Sequence, residues 1–477
     1  MCDRLSISRL ASPAAFCDSV AKGAPLVAMV WAALSQALWA GVIRLLVACV
    51  CAVPAAAAAP DPALHLGVAS CAGSTCHGRQ EATGPRVRQN ELISWQDPAS
   101  LTGAHSRAWT ALKGARAQAI GQRLGIADVS RSGECINCHG DPAPRRSPQW
   151  QQSDGVGCEA CHGGGERWLA SHAAVGATHA DNVARGMWAL NDPAVRAGVC
   201  LDCHWGSANP GQFVSHRIMA AGHPRLVFEL DLFTSLQGHH DEDADYRQRK
   251  LRAGGVKLWA VGQALATERA LSLWPRTAGA PMPDFSFFDC RSCHRTFSDD
   301  PAVPLVARTN AARPVPPGTP VWNDENLLML DAAARVVAPR IAARHSAQLR
   351  AFHAAIGQDR AAGLKAAAAL RGTAAELARA FAAAAFSRAE TLAMLNMVLI
   401  GNAGAYTDYQ GGAQAVMAAE TLLAALVADH GLDRAQVAAM RPVIDKAYAQ
   451  ARDANRWQPA AFRASLAEIA GRVAALQ

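Results

Sequence analysis

The pattern of apolar and polar residues divides the chain into stretches of different character. Between residues 60 and 298, glycine, proline and aspartate recur often, and runs of regular periodicity are short. We predict short helices there, with one longer helix at 255–273. Six prolines fall within 299–320, which predicts a linker. From 321 to 477, apolar residues repeat at intervals of three and four, which predicts an antiparallel helical bundle.

The helical pattern is most regular just after the proline-rich stretch. Apolar residues recur from Leu327 to Ile341 and continue through His345 as far as Ile356, which predicts one amphipathic helix. Further helices are predicted at about 358–386, 388–402, 411–430 and 433–475. The chain as a whole therefore predicts a mainly α fold, with an irregular first domain and a C-terminal bundle.

The first 59 residues have the pattern of an export signal. Arg44 precedes the apolar run 45–53, and proline and alanines follow at 54–59, as at a signal-peptide cleavage site. An alternative joins 25–53 into an uncleaved anchor, although Arg44 interrupts that run. Both interpretations export the remainder of the chain to the periplasm. Contact with the membrane is expected only if the segment is retained.

The charge balance is mildly basic, with 46 lysines and arginines against 39 acidic residues. The arginines are scattered along the chain and form no basic stripe, which is the usual electrostatic feature of a nucleic-acid surface. We therefore predict no nucleic-acid partner.

The cysteines point to the chemistry of the chain. Four of the fourteen precede residue 60, and the other ten form five close pairs, each followed at once by histidine. Four pairs have C-x-x-C-H spacing and end in His139, His162, His204 and His294; the first pair, before His77, has four residues between its cysteines. The paired cysteines are Cys71, Cys76, Cys135, Cys138, Cys158, Cys161, Cys200, Cys203, Cys290 and Cys293.

A cysteine pair followed by histidine is the attachment signature of c-type haem. Two thiols on one short turn bind the two vinyl groups of a porphyrin, and the next residue lies under the iron as its proximal ligand. Zinc would not require histidine after every second cysteine, and disulfides within such tight pairs would be strained. We therefore predict five haem c groups in residues 60–298, where the porphyrins supply much of the apolar core.

The residues around the third motif resemble a known family. The stretch 155–163, followed by Trp168 and His172, is similar to the signature of the cytochrome c-552/c-554 superfamily of multihaem cytochromes. Ser94-Trp-Gln-Asp97 ahead of His105, and the segment 214–230, are also similar to segments of that family. The resemblance covers roughly residues 65–295 of this chain.

The resemblance implies a second, distal histidine for most of the irons. It implies that His172 caps the first haem and His105 the fourth, and that His216 and His223 cap two others, with the third and fifth as candidates. Tetrahaem members leave their second haem without a distal histidine, and this chain adds a fifth motif. The candidates left for the second haem are therefore His65, His179 and His240.

Two other histidine positions have alternative interpretations. His345 falls on the apolar stripe of its predicted helix, so it is either a core histidine or a distal ligand offered by the bundle. His239 and His240 precede the acidic run 241–245. We interpret that run as a solvated turn in preference to a metal site.

The sequence favours an electron carrier whose mostly bis-histidine haems form a relay. The alternative is an oxidoreductase that acts on a small nitrogen or sulfur compound at one open haem, so the sequence leaves open whether the chain is an enzyme. A third hypothesis, compatible with the first, is that the bundle docks the relay onto a redox partner such as a membrane quinol-linked complex. Partner proteins that donate and accept electrons are expected in each case.

Overall fold

The computed structural model of the chain describes residues 62–84, 88–240, 253–277, 283–294, 313–315, 319–453 and 456–476. The predicted export segment and most of the predicted linker lie outside these ranges. The described part is mainly helical, as predicted, and contains no β-strand, only isolated bridges between His65 and Arg146 and between Phe288 and Trp322. Residues Pro62–Gln477 group into a single unit.

The first part of the chain folds into short helices, which confirms that prediction. They are α1 Glu91–Gln96, α2 Ala108–Ala111, α3 Ala115–Leu124, α4 Gly133–His139, α5 Cys158–His162, α6 Leu169–His172, α7 His179–Ala184, α8 Pro193–His204, α9 His216–Ala220 and α10 Leu230–Leu236. Local signals set their ends. Helix α3 stops at Gly125, whose φ of 72° suits glycine, and Asp192 caps α8 by accepting from the backbone of Ala194.

Helices α1–α7 contribute little to a protein core. Every member of the three hydrophobic clusters in the described chain lies at or beyond Ala197. Seven hydrophobic residues are buried earlier in the described chain but belong to none of these clusters: Val68, Trp95, Leu112, Ile120, Val129, Ala143 and Trp168. Such sparse apolar burial fits a region that folds around bound groups.

The later helices form a packed bundle. They are α11 Gly255–Thr277, α12 Glu325–Val337, α13 Pro339–Ile356, α14 Arg360–Ala383, α15 Arg388–Asn396, α16 Tyr409–His430, α17 Arg434–Ala438, α18 Arg441–Gln450 and α19 Pro459–Ala474, with a π-helical turn at Met397–Gly401. Helix α11 packs against α12, α14 and α16 on one side and against α8 on another. It therefore joins the motif-bearing part to the bundle. The boundaries 60–298 and 321–477 stay predictions.

Two predicted helices were wrong in their extent. The single helix expected from 327 to 356 is two helices, because Pro339 lacks an amide hydrogen and begins α13 after the break at Ala338. The helix expected at 433–475 is three, α17, α18 and α19, and Pro442 and Pro459 stand in the first turns of the last two. The apolar period continues across these breaks, so periodicity alone did not reveal them.

Helix α16 is the core of the bundle. Its first turn is capped by Asp408, which accepts from the Gly411 amide at 2.7 Å, and it ends at Gly431 with a φ of 68°. Among the described helices, α16 has the length and hydropathy needed to cross a bilayer, yet 72% of its apolar window is buried inside the protein. Burial of this kind is expected of a central bundle helix.

Close packing around α16 gives a first testable prediction. A Cβ at Gly412 would lie 2.4 Å from Cη2 of Trp457, whereas a Cβ at Gly372 in α14 would meet nothing within 4 Å. Gly412→Ala should therefore lower the free energy of unfolding by about 1–3 kcal/mol through overpacking. Gly372→Ala should raise it by about 0.5–1 kcal/mol. Denaturant titration followed by circular dichroism tests both variants, and equal effects would contradict the packing described.

Candidate haem sites

Four of the five cysteine motifs lie on helical turns, and the first motif lies on non-helical turns just after Ser70. The second and third motifs lie on α4 and α5, the fourth closes α8, and Cys290–Ser292 forms a 3-10 turn. On such a turn the second cysteine and the histidine after it project from neighbouring positions. All ten motif cysteines are free thiols, and in the described residues none forms a disulfide. The thiols are thus available in the form that haem attachment requires.

Each motif histidine faces another histidine across a gap of nearly constant width. The ring centroids are 6.1–6.3 Å apart in every case. The pairs are His77 with His172, His139 with His223, His162 with either His239 or His240, His204 with His105, and His294 with His216.

This spacing fits a metal between the rings. Imidazole nitrogens bind transition metals at about 2 Å, so two rings on one iron place their centroids about 6 Å apart. Aromatic rings that simply pack together show a wider range of centroid separations. Such packing would also give no reason for every motif histidine to have a histidine partner. The gap and the adjacent thiols therefore fit one haem c in each pair.

Hydrogen bonds at Nδ1 orient several of these rings. Nδ1 of His139 bonds to the Ala108 carbonyl oxygen at 3.0 Å, and Nδ1 of His223 bonds to the Pro224 carbonyl oxygen at 2.7 Å. Nδ1 of His77 bonds to the carboxylate of Glu91 at 2.9 Å. A ring held through Nδ1 presents Nε2 as its metal ligand, and a carboxylate partner increases the basicity of that ligand.

Burial lowers the pKa of several paired imidazoles and so favours the neutral form, which binds a metal. Desolvation lowers the pKa of His162 to about 3 and the pKa values of His204 and His239 to about 4. His77 differs, because its hydrogen bond to Glu91 raises its pKa.

The motifs are packed together through their thiols. The Cys71 side chain lies close enough to that of Cys158 to interact with it, and the same holds for Cys138 and Cys203. The first motif is thereby adjacent to the third, and the second to the fourth. Cys161 and Cys200 also lie close enough to interact electrostatically, which joins the third motif to the fourth.

A buried carboxylate holds the third motif to the start of the described chain. Glu159, inside that motif, is 3% exposed and accepts from the amides of Leu66, Gly67 and Gly165 at 2.6–2.8 Å. Three hydrogen bonds to one carboxylate thus join the backbone just ahead of the first motif to the backbone that follows the third.

The structure separates the distal candidates into two groups. Four candidates each lie opposite a motif histidine: His172, His105, His216 and His223. The first two are opposite the first and fourth motifs, as the resemblance implied. His223 faces the second motif and His216 the fifth, so neither takes the third position that the resemblance had allowed. Their role as ligands stays a prediction.

The other candidates have different surroundings. Buried His65 hydrogen-bonds to Asp141, its Nδ1 lying 2.7 Å from the carboxylate. His179 bonds through Nε2 to the side-chain oxygen of Asn191 at 3.0 Å. His345 is fully buried in α13 and lies 3.7 Å from Asp331. None of these three faces a motif histidine in the described structure. His240, a candidate for the second iron, lies at the third.

Sequence reasoning gave His240 as a distal candidate for the second iron and did not propose His239. Together with His162 these two histidines bring possible ligand atoms within 4.8 Å of one another. The interpretation of residues 241–245 as a solvated turn falls outside the described structure and stays a prediction. Two consecutive histidines after a glycine were the available signal, and the neighbouring acidic residues obscured it.

Comparison with known proteins gives one family. Residues 70–163, which include the first three motifs, match the family described as cytochrome c554 and c-prime. No curated protein and no solved structure matches the chain. The matched segment covers the signature around Cys158–His162 and the pairing of the first motif with the third. The chain therefore resembles the cytochrome c554 family of multihaem c-type cytochromes, and its cofactor is haem c.

Proposed function

We propose that the chain is an exported pentahaem cytochrome that carries electrons through five bis-histidine haems. The observation that carries this proposal is the set of five imidazole pairs with centroids 6.1–6.3 Å apart. When bound, haem c supplies an iron that alternates between ferric and ferrous states. Two imidazoles on each iron suit electron transfer, because they leave no coordination position for a substrate.

The protein would hold and orient these groups with its own side chains. The paired thiols of each motif form the thioether bonds, and the motif histidines bind on one side of each iron. On the opposite side we assign His172, His223, His105 and His216 to the first, second, fourth and fifth irons, with His239 or His240 at the third. Nδ1 hydrogen bonds, such as His77 to Glu91, fix the rings before and after electron transfer.

Contacts between motifs support an order for the relay. Thiol contacts join the first motif to the third and the second to the fourth, and Cys161 lies near Cys200 between the third and fourth. His216 and His223 stand at the two ends of one short segment that includes α9 and serve the fifth and second sites. We infer the order first, third, fourth, second and fifth.

The carrier is favoured over an oxidoreductase with an open haem, because every motif histidine has a partner ring. We place the relay in the periplasm, since residues 1–59 resemble an export signal. We propose that the bundle docks a redox partner, and we infer that its partners are protein electron donors and acceptors, including a quinol-linked complex.

Carbon monoxide tests the carrier proposal directly. It binds ferrous haem only where an axial position is free or weakly held. We expect the fully reduced protein to show no carbon monoxide difference spectrum. A difference spectrum equivalent to one or more of the five haems would instead favour the oxidoreductase.

A further inference from the structure

The start of the bundle is tied to the fifth motif through the backbone. The Asp289 amide donates to the Val321 carbonyl at 2.8 Å, and the Asn323 amide donates to the Phe287 carbonyl at 2.9 Å. These two hydrogen bonds join the residues just before Cys290 to the residues just before Glu325. It therefore fixes the first turn of α12 beside the haem attachment site.

Glu325 is a buried carboxylate whose two oxygens have different surroundings. The residue is 5% exposed, and its Oε1 accepts from Nδ2 of Asn323 at 2.9 Å. Its Oε2 is buried, and no hydrogen-bond donor reaches it within the described residues. A buried carboxylate oxygen without a donor is costly while ionised, and protonation removes most of that cost.

Two polar side chains connect this carboxylate to the fifth motif. The hydroxyl of Tyr409 lies 3.8 Å from Sγ of Cys290, and Nη1 of Arg225 lies 3.9 Å from the same sulfur. Both side chains are near enough to Glu325 to interact with its charge. The side-chain amide of Gln410, beside Tyr409, faces the Arg225 guanidinium and can accept from it.

Burial and the surrounding charges act on the Glu325 carboxyl in opposing directions, and the net result is a raised pKa. Burial raises its pKa, Arg225 and the hydrogen bond from Asn323 oppose that shift, and Asp408 and Asp324 add to it. The last two carboxylates are themselves paired with buried Arg313, and Asp324 also bonds to His353 at 3.2 Å. One additional negative charge nearby would favour the protonated form.

We propose that Glu325 is a proton-binding site that takes up one proton when the fifth iron is reduced. An electron from the redox partner reaches that iron through the relay, while water supplies the proton that forms an O–H bond at Oε2. Reoxidation returns the electron to the acceptor and the proton to water. The inference rests on the proposed function, and it assigns the bundle a part in coupling electrons to protons.

Redox titration of the holoprotein at pH values from about 5 to about 9 tests this inference. We expect the midpoint potential of one haem to fall as the pH rises, by at most about 59 mV for each tenfold change in proton concentration. In Glu325→Gln, which keeps the shape of the side chain, that dependence should disappear. The control is Glu376→Gln, which removes the carboxylate of a surface ion pair with Arg344 and should leave the dependence intact.

Infrared difference spectra of the wild-type protein give a second readout that needs no variant. Reduction should produce a carbonyl band of a protonated carboxyl group, and Glu325→Gln should lack it. Wild-type midpoints independent of pH, an unchanged pH dependence in Glu325→Gln, or no carbonyl band on reduction would each overturn the inference. Haem content and spin state, measured on the same preparation, distinguish a failure of this inference from a failure of the proposed function.

Discussion

Replacing both His239 and His240 with alanine will convert one haem, of the five proposed, to high spin. Each of these rings lies 6.3 Å from the His162 ring, so together they supply the imidazoles available on the far side of the third iron. Loss of both leaves that iron five-coordinate. Electron paramagnetic resonance should show a new high-spin ferric signal, and the reduced variant should bind carbon monoxide at about one fifth of its haem.

The single variants distinguish the two histidines. Because the two rings are equally distant from His162, we expect either one to bind the iron alone, so His239→Ala and His240→Ala should each remain low-spin. His179→Ala is the control, since that exposed ring bonds to Asn191 away from every motif histidine. A high-spin signal in one single variant would contradict interchangeable ligands and identify that residue as the sole ligand.

Arg313→Met will lower the free energy of unfolding by about 3–5 kcal/mol, because it leaves buried carboxylates without their cation. Arg313 is 3% exposed, forms a two-pronged pair with Asp324, and lies 3.3 Å from Asp408, the cap of α16. Both carboxylates would remain buried in the variant. Denaturant titration followed by circular dichroism measures the loss.

Arg344→Met is the matched control for this prediction. The two side chains of its ion pair with Glu376 are each about half exposed. Arg344→Met should therefore lower the free energy of unfolding by no more than about 1 kcal/mol. Similar costs for the two variants would show that the buried network contributes no more than a surface pair.

The same network sets a pH dependence. Burial opposes ionisation of Asp324, but Arg313 and His353 outweigh it and hold its pKa below the ordinary value. The folded state therefore gains stability from ionised Asp324 above about pH 4, the ordinary value of an aspartate. That contribution is lost as the pH falls through the lowered pKa, and Arg313→Met should lose it at neutral pH already.

Spacing along the sequence predicts one half of each candidate haem site and cannot place the other half. The cysteines and proximal histidines are local, because thioether attachment requires all three side chains on one turn. The distal rings come from distant segments, and only tertiary packing brings His223 to His139 or His239 to His162. Family resemblance implied the placements of His172 and His105, and it also allowed His216 or His223 at the third iron, where neither of them lies.

The bundle shows a similar division between local and long-range information. Helices α11, α14 and α16 lie close to their predicted ranges, because apolar period and capping residues such as Asp408 are local signals. At Pro339 and Pro459 one helix ends and another begins, but the apolar residues keep the same spacing across each break. Periodicity alone therefore does not reveal these breaks. The packing of α11 into the bundle also could not be anticipated from spacing along the chain.

The central claim is that each of five histidine pairs encloses one covalently bound haem. Intact-protein mass and the electron paramagnetic resonance spectrum of the same oxidised sample test it most directly. We predict a mass equal to the processed polypeptide plus five haem c groups, together with low-spin signals at every iron. Fewer bound haems, or a high-spin component in the wild-type protein, would contradict the account.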